Sequence, residues 1–241
     1  MENSIYVGLS KLVVLEENMR IVSNNVANMN TTGFRGQNMV FTEHISDPRG
    51  QKEPISMVLD YGQYQVTDPG PLTVTDNPFD LALVGPGWFG VQTPNGVQYT
   101  RAGNFSLNSN GELVTQRGLP VVDEGSAPII IPAEARDVGI DRTGVISSED
   151  GEIAKLMLVE FDNTQTLNPA GNGLYETDAA AQEASQTTVL QGSIEGSNVQ
   201  PILEMTRMIE VSRKYQSVQR LVQTEHERMR TAVQRIAGES G

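Results

Sequence analysis

The residues with the best claim to chemistry are few. Gly85-Pro86-Gly87-Trp88-Phe89-Gly90 matches the spacing G-x-G-x-x-G. In a dinucleotide site that loop follows a strand and opens a helix whose N-terminal N–H groups hold the pyrophosphate. Here Pro86 sits inside the loop, and Trp88 to Thr93 reads as a second strand, so the expected reading is a strand connection with no cofactor. His226-Glu227-Arg228-Met229-Arg230 begins like the zinc motif H-E-x-x-H, but Arg230 stands where the second imidazole must be. Without that ligand no such site forms. His44 is isolated in sequence, and the chain has two histidines and no cysteine. Thiolate nucleophiles, disulfides and the usual structural zinc sites are thereby excluded. Glu149 and Asp150 form an acid pair, but acids beside a glycine in a loop are usually solvated turn residues. The chain is read as no enzyme, with no cofactor and no metal.

The elements around these residues carry more information. From Met208, apolar positions run Met208, Val211, Tyr215, Val218, Val222, Met229, Ala232 and Ile236, a 3,4 spacing interrupted at Glu225. This is the seam of a coiled coil, one narrow apolar stripe on an otherwise polar helix. Pro201 suits the first turn and Gly238 the end, and a helix over 202–237 would span about 54 Å at about 1.5 Å per residue. An amphipathic helix lying on its own domain is the plainer alternative. The N-terminus favours a partnered seam, because a helix predicted over Ser4 to Asn28 has its own heptad: Ile5, Gly8, Leu12, Leu15, Met19, Val22, Val26 and Met29. Two such helices at opposite ends of one chain most simply pair with each other.

The first helix ends in an unusual stretch, Ser23-Asn24-Asn25-Val26-Ala27-Asn28, followed by Met29-Asn30-Thr31-Thr32-Gly33-Phe34-Arg35. Asparagine costs helix propensity and is best used as a cap. Capping accounts for Asn30 and Gly33, but Asn24 and Asn25 lie a full turn too early. Their amides are expected to bond to neighbouring backbones in an assembly.

This stretch, Asn-Asn-x-Ala-Asn and then Thr-x-Gly-Phe, resembles the signature of bacterial flagellar rod and hook proteins. Ser197-Asn198-Val199, Glu204-Met205, Met208-Ile209 and Arg213-x-Tyr215 resemble the same family's closing motif. Ser23 and Arg35 stand where Ala and Lys are common. The opening Tyr6-Val7-Gly8-Leu9-Ser10 and the modest length look most like a proximal-rod member, with a distal-rod member as the alternative. The resemblance implies a structural subunit that transmits torque across the periplasm, in the basal body of the bacterial flagellum. It also implies other rod proteins, hook-basal-body and ring proteins as partners, and export through the flagellar type III apparatus. An assembly interface is then expected from Ile5, Leu12, Leu15, Met19, Val22, Asn24, Asn25, Asn28, Gly33 and Phe34 on one end. The other end would supply Met208, Val211, Tyr215, Val218, Val222, Met229 and Ile236.

Between the ends the sequence reads as β. Residues 37–54 look like a linker, and residues 37–75 as a whole resemble a connecting segment with short strands at Met57 to Val66 and Leu72 to Thr75, around the turn Asp68-Pro69-Gly70-Pro71. Residues 76–196 show strands at Leu81 to Val84, Trp88 to Thr93, Val97 to Arg101, Phe105 to Asn108, Glu112 to Gln116, Ile129 to Ile131 and Ile153 to Asp162. Turns at Pro94-Asn95-Gly96, Ser109-Asn110-Gly111 and Asp150-Gly151 supply positive φ. The expected fold is α+β: a paired helical domain from 1–36 and 197–241, and a central antiparallel barrel or sandwich.

Charge narrows the function further. The net charge is −13, and 22 acids against seven bases fall between residues 37 and 201. So acidic a middle repels a phosphate backbone, which argues against nucleic acid. No apolar run approaches the roughly 18 residues of a membrane span, so no membrane insertion is expected. The N-terminus lacks a basic start followed by an apolar core, with Lys11, Glu16 and Glu17 interrupting it, and an uncleaved N-terminus is expected. An enzyme acting on an extracellular polymer would instead need paired carboxylates in a cleft. A phage-tail or adhesin module would leave the asparagine signature without a reason.

Overall fold

The computed structural model describes residues 2–46 and 55–238. Helix α1 runs Glu2–Ala27 and helix α2 runs Pro201–Gly238. Between them come β1 (Gln37–Ser46), β2 (Ile55–Gln65), β3 (Leu72–Val74), β4 (Leu81–Val84), β5 (Trp88–Thr93) and β6 (Gly96–Thr100). Next are β7 (Ser106–Leu107), β8 (Leu113–Val114), β9 (Gly139–Ile140), β10 (Val145–Ser148), β11 (Gly151–Lys155) and β12 (Leu158–Glu160). The last strands are β13 (Asn168–Gly171), β14 (Leu174–Glu176), β15 (Gln182–Glu183), β16 (Thr188–Gln191) and β17 (Ser193–Glu195). The chain is α+β and divides into two compact units. One comprises residues 1–27, 37–64 and 200–241; the other comprises 28–36 and 65–199. The segment 37–75 is thus shared between them at residue 64, and the stretch after α1 clusters with the β unit.

In the first unit α1 and α2 pack through Leu15, Val211 and Val218, with Leu12, Met19, Tyr215 and Val222 around them. Their apolar residues recur at three and four positions, so they fall on one side of each helix. Pro201 needs no N–H partner at the first turn of α2, and Glu204 N–H already donates to Gln200 O at 3.1 Å. Strands β1 and β2 pair with each other. The expectation of a linker therefore needs correction over 37–46, because Gln37–Ser46 is a strand; the rest of that stretch, 47–54, lies outside the described residues. Gln37, Met39 and Phe41 do alternate with Asn38 and Val40, but the polar and apolar sides do not separate cleanly.

The β unit is built on a six-stranded sheet in the order β13-β14-β6-β5-β12-β15, with small two- and three-stranded sheets beside it. Its ends, β13 and β15, do not meet, so the expected barrel does not close. Strand β5 explains the arrangement. Phe89 and Val91 are fully buried on one face of it, and Trp88 is buried on the other. Phe89 joins the larger core with Leu81, Leu113, Ile129, Ile146 and Leu156. Trp88 joins a second core with Val159, Phe161, Leu167 and Tyr175. A strand covered on both faces reads as a continuous apolar run, which Trp-Phe-Gly-Val is. Gly90 lets this strand lie close to its neighbour, since a Cβ there would be 2.5 Å from the sulfur of Met157. The hairpin β5–β6 turns at Pro94-Asn95, with Gly96 at φ 110°.

Two expected strands differ in the structure. Ile153 to Asp162 divides into β11 and β12, which belong to different sheets. Leu156 between them turns into the larger core. Residues Ile129 to Ile131 form only an isolated bridge, Ile130 to Glu112, while Ile129 and Ile131 fill the core.

Candidate functional site

Within the β unit the most strongly built polar centre is a buried cluster of Arg35, Arg101 and Glu195. Glu195 and Arg101 are each 1% exposed and Arg35 5%. Glu195 closes β17, Arg101 follows β6, and Arg35 comes from the loop after α1. Arg101 meets Glu195 Oε2 with both Nε at 2.9 Å and Nη2 at 2.7 Å. Arg35 Nη2 meets Oε1 at 2.8 Å, and Gly70 N–H donates to the same oxygen at 3.0 Å. Four donors therefore saturate the carboxylate, the condition under which a buried ion pair holds together.

Main-chain carbonyls match the remaining guanidinium hydrogens of Arg101 and two of those of Arg35. Arg101 donates to Leu83 O at 3.1 Å, Gly85 O at 2.9 Å and Gly87 O; Arg35 donates to Thr67 O at 3.0 Å and to Asp68 O. Burial pushes both guanidinium groups below their usual pKa, and the Glu195 charge opposes that shift. The Gly85-Pro86-Gly87 loop therefore turns carbonyl oxygens toward a cation, the opposite polarity from a phosphate cradle, and a strand follows it.

Gly33 and Asn198 complete the same region. Gly33 N–H donates to Glu195 O at 2.8 Å. Its φ is +66°, and a Cβ there would lie 2.4 Å from the Ala102 nitrogen and the Arg101 carbonyl carbon. Both the conformation and the closeness demand glycine. Asn198 Oδ1 accepts from Gly36 N–H at 2.7 Å, and its Nδ2 donates to Val66 O at 3.0 Å and Asp68 O at 2.8 Å. Phe34 is half-buried, with its carbonyl accepting from Asn198 N–H at 3.2 Å. Asn28 accepts at its side chain from Thr31 Oγ1 at 3.1 Å.

In the helical unit Asn25 is 3% exposed. Its Nδ2 donates to Gln37 O at 2.8 Å and its Oδ1 accepts from Gln37 N–H at 2.9 Å, so the side chain imitates one rung of a β ladder. Nδ2 also reaches Glu204 Oε2 of α2 at 3.2 Å. Within the chain, then, this amide is bonded to the backbone of Gln37 and to α2. Asn24 is exposed on the helix surface.

The seam residues fall as follows. Leu15, Val22, Val211 and Val218 are buried, while Ile5, Leu12, Met19, Met208, Tyr215, Val222 and Met229 are partly covered. Ile236 lies in α2, with its side chain outside the described residues. Gly8, a seam position of the first heptad, lies in close contact: a Cβ on it would meet Val222 Cγ2 at 2.7 Å. Of the residues considered for chemistry, His226 and Arg230 are exposed on α2, and Glu149 and Asp150 are exposed at the β10–β11 turn. His44 is in β1, with its side chain outside the described residues. Among the described residues no group of His, Asp and Glu is placed to hold a metal ion, and no helix is long and apolar enough to cross a membrane.

Arg101 and Glu195 were not singled out by the sequence, and Glu204 entered only as part of the closing motif, with no partner assigned to it. The β unit holds 18 carboxylates and six bases, so spacing alone gives no reason to pair Glu195 with two of them.

A molecule whose polar groups are spent on joining its own segments, with long helices at both termini, is a structural subunit in design. Three family models match it. Residues 5–35 match the flagella basal body rod protein model, 82–148 the flagellar hook protein FlgE/F/G D1 domain, and 190–235 the flagellar basal body rod FlgEFG protein C-terminal model. The chain is 38% identical to the flagellar basal-body rod protein FlgF of Caulobacter vibrioides over 241 residues, covering 98% of each chain. It is 36% identical to FlgF of Mesorhizobium japonicum, covering 92% of each. It is also 31% identical to FlgG of Caulobacter vibrioides, covering 89% of this chain and 92% of that one. The chain belongs to the FlgE/F/G family of flagellar basal-body rod proteins.

Proposed function

We propose that the chain is a structural subunit of the proximal rod of the bacterial flagellar basal body and performs no catalysis. The observation that carries this is the match to FlgF over nearly the whole chain, from the asparagine stretch at the end of α1 to the seam of α2. The work of such a subunit is mechanical. Its terminal helices pair as a coiled coil through Leu12, Leu15, Met19, Val211, Val218 and Val222, and this pair fixes the subunit in a helical stack. Repeated contacts between copies and neighbours carry torque across the periplasm. Asn24, Asn28, Met229 and Ile236 extend the assembly interface along the helices. Other rod proteins, hook-basal-body proteins and ring proteins are its neighbours, and the flagellar type III apparatus exports it with its first helix uncleaved.

A distal-rod role is the second reading, favoured by the 31% identity to FlgG over most of both chains. Electron microscopy of purified basal bodies carrying a labelled version of this subunit separates the two. Label at the membrane-proximal end of the rod is the expected result. Label along the distal segment gives the FlgG-like role, and label absent from the rod overturns both.

A further inference from the structure

Helix α2 carries two apolar stripes, and α1 covers one. Val211, Tyr215, Val218 and Val222 face α1. At about 100° per residue, Ile202, Met205 and Ile209 fall on the other side of α2. They are 80%, 45% and 54% exposed. A lone exposed Leu or Ile is ordinary, but three at i, i+3 and i+7 form a continuous strip over two turns. The same side continues into Arg213 and Arg220, both exposed.

The β unit has the matching features. A cavity of about 390 Å³ opens between Pro69, Leu72, Val84, Pro86 and Trp88. Leu72 and Val84 at its edge are 47% and 49% exposed. Strand β3, which carries Leu72, pairs with β17 alone and buries none of its three side chains. Arg35 and Arg101 also line it, both buried and held by Glu195; around it the unit bears its 18 carboxylates against six bases, whereas α2 bears seven bases against four acids.

We infer that the Ile202–Met205–Ile209 stripe of one copy seats on the Leu72–Val84 cavity of a second copy of this chain. The apolar side chains fill the cavity, and Arg213 and Arg220 lie over acidic surface, the complementary charge. The inference rests on the rod-subunit reading, which supplies copies side by side. The contact joins two different faces, so it is heterologous: it propagates around a ring or along an open helix and does not close as a two-fold dimer. Its area is small, and it operates where other contacts already hold copies together and raise their effective concentration.

The chain has no cysteine, which makes a cross-link specific. Ile209→Cys and Val84→Cys versions are co-expressed, basal bodies are purified and treated with a mild oxidant, and disulfide dimers are read on a non-reducing gel. Such a bond forms only where the two Cα atoms approach within about 7 Å. A dimer from this pair is expected, several times stronger than from Ile209→Cys with Asn172→Cys, which sits on the exposed β13–β14 turn. Basal bodies that contain both versions but give no dimer above that control overturn the contact and leave the rod reading standing. Cross-linking of Ile209→Cys to a different protein overturns it equally. Absence of both versions from basal bodies, with normal expression, removes the rod reading and this inference with it.

Discussion

Gly8 of α1 lies directly against Val222 of α2, so close that a Cβ at position 8 would stand 2.7 Å from Val222 Cγ2. Glycine inside a helix costs about 1 kcal/mol relative to alanine, and the closeness of the two helices here is what that cost permits. Gly8→Ala is therefore expected to lose assembly although it gains helix propensity. Val222→Ala in the same chain opens the space and should restore it. Swimming of the single and double variants checks this; a fully motile Gly8→Ala strain would show that the helices do not approach here in the rod.

Val218 is 8% exposed in the same contact. Val218→Asp places an unpaired carboxylate between the helices, at a cost of several kcal/mol. The expected outcome is loss of rod assembly, while the β unit keeps its far-UV signature and the emission of Trp88, the chain's one tryptophan. A motile Val218→Asp strain would sink the pairing.

Glu195→Gln tests the buried cluster. A neutral amide cannot balance two guanidinium groups, and removing one partner of a buried ion network typically costs on the order of 3–5 kcal/mol. Urea unfolding of the full chain, followed through Trp88 fluorescence, should show that loss in the β unit. A change below about 1 kcal/mol, the size of one ordinary hydrogen bond, would mean the cluster adds little to stability.

Acid sensitivity follows from two carboxylates. Asp141 lies below its ordinary pKa because it accepts from the Thr143 hydroxyl at 2.7 Å and from the N–H groups of Val145 and Thr143. Burial pushes Glu160 up, but the Thr187 hydroxyl and the N–H groups of Gln186, Ser185 and Thr187 outweigh it, and its pKa is lowered. A depressed carboxylate binds its proton more weakly folded than unfolded. Its stabilisation is complete above the unfolded value, near about pH 4, and is lost as pH falls through the folded value. The thermal midpoint of the β unit should drop across that window, and Asp141→Asn should flatten the drop. An unchanged acid slope in Asp141→Asn would show that Asp141 is not its source.

The helices and the hairpins were legible because their signals are local. A heptad, a Pro at a first turn, or Asn-Gly between short apolar runs each fixes its own few residues. Strands Leu81–Val84 and Trp88–Thr93 could be read to the residue for that reason. The arginine–glutamate cluster could not be read, since its members lie far apart in the chain and each resembles many other surface charges until the fold buries it. Asn25 was intermediate. Its position a turn inside the helix showed that it was not a cap, but nothing local said that its partner was the backbone of Gln37. Strand β1 was missed because its residues alternate without a clean polar side.

The cluster also sets when the β unit can finish folding. Arg35 comes from the loop after the first helix and Glu195 from the last strand before the second, so almost the whole unit lies between them in sequence. A contact of this separation closes only after a large loss of loop entropy, and folds dominated by such contacts form slowly. Until residue 195 is available, Arg35 and Arg101 have no carboxylate to enclose, and the chain has every reason to stay open. The export route proposed above would gain from a keystone set last, which leaves the unit open until its final strand is in place.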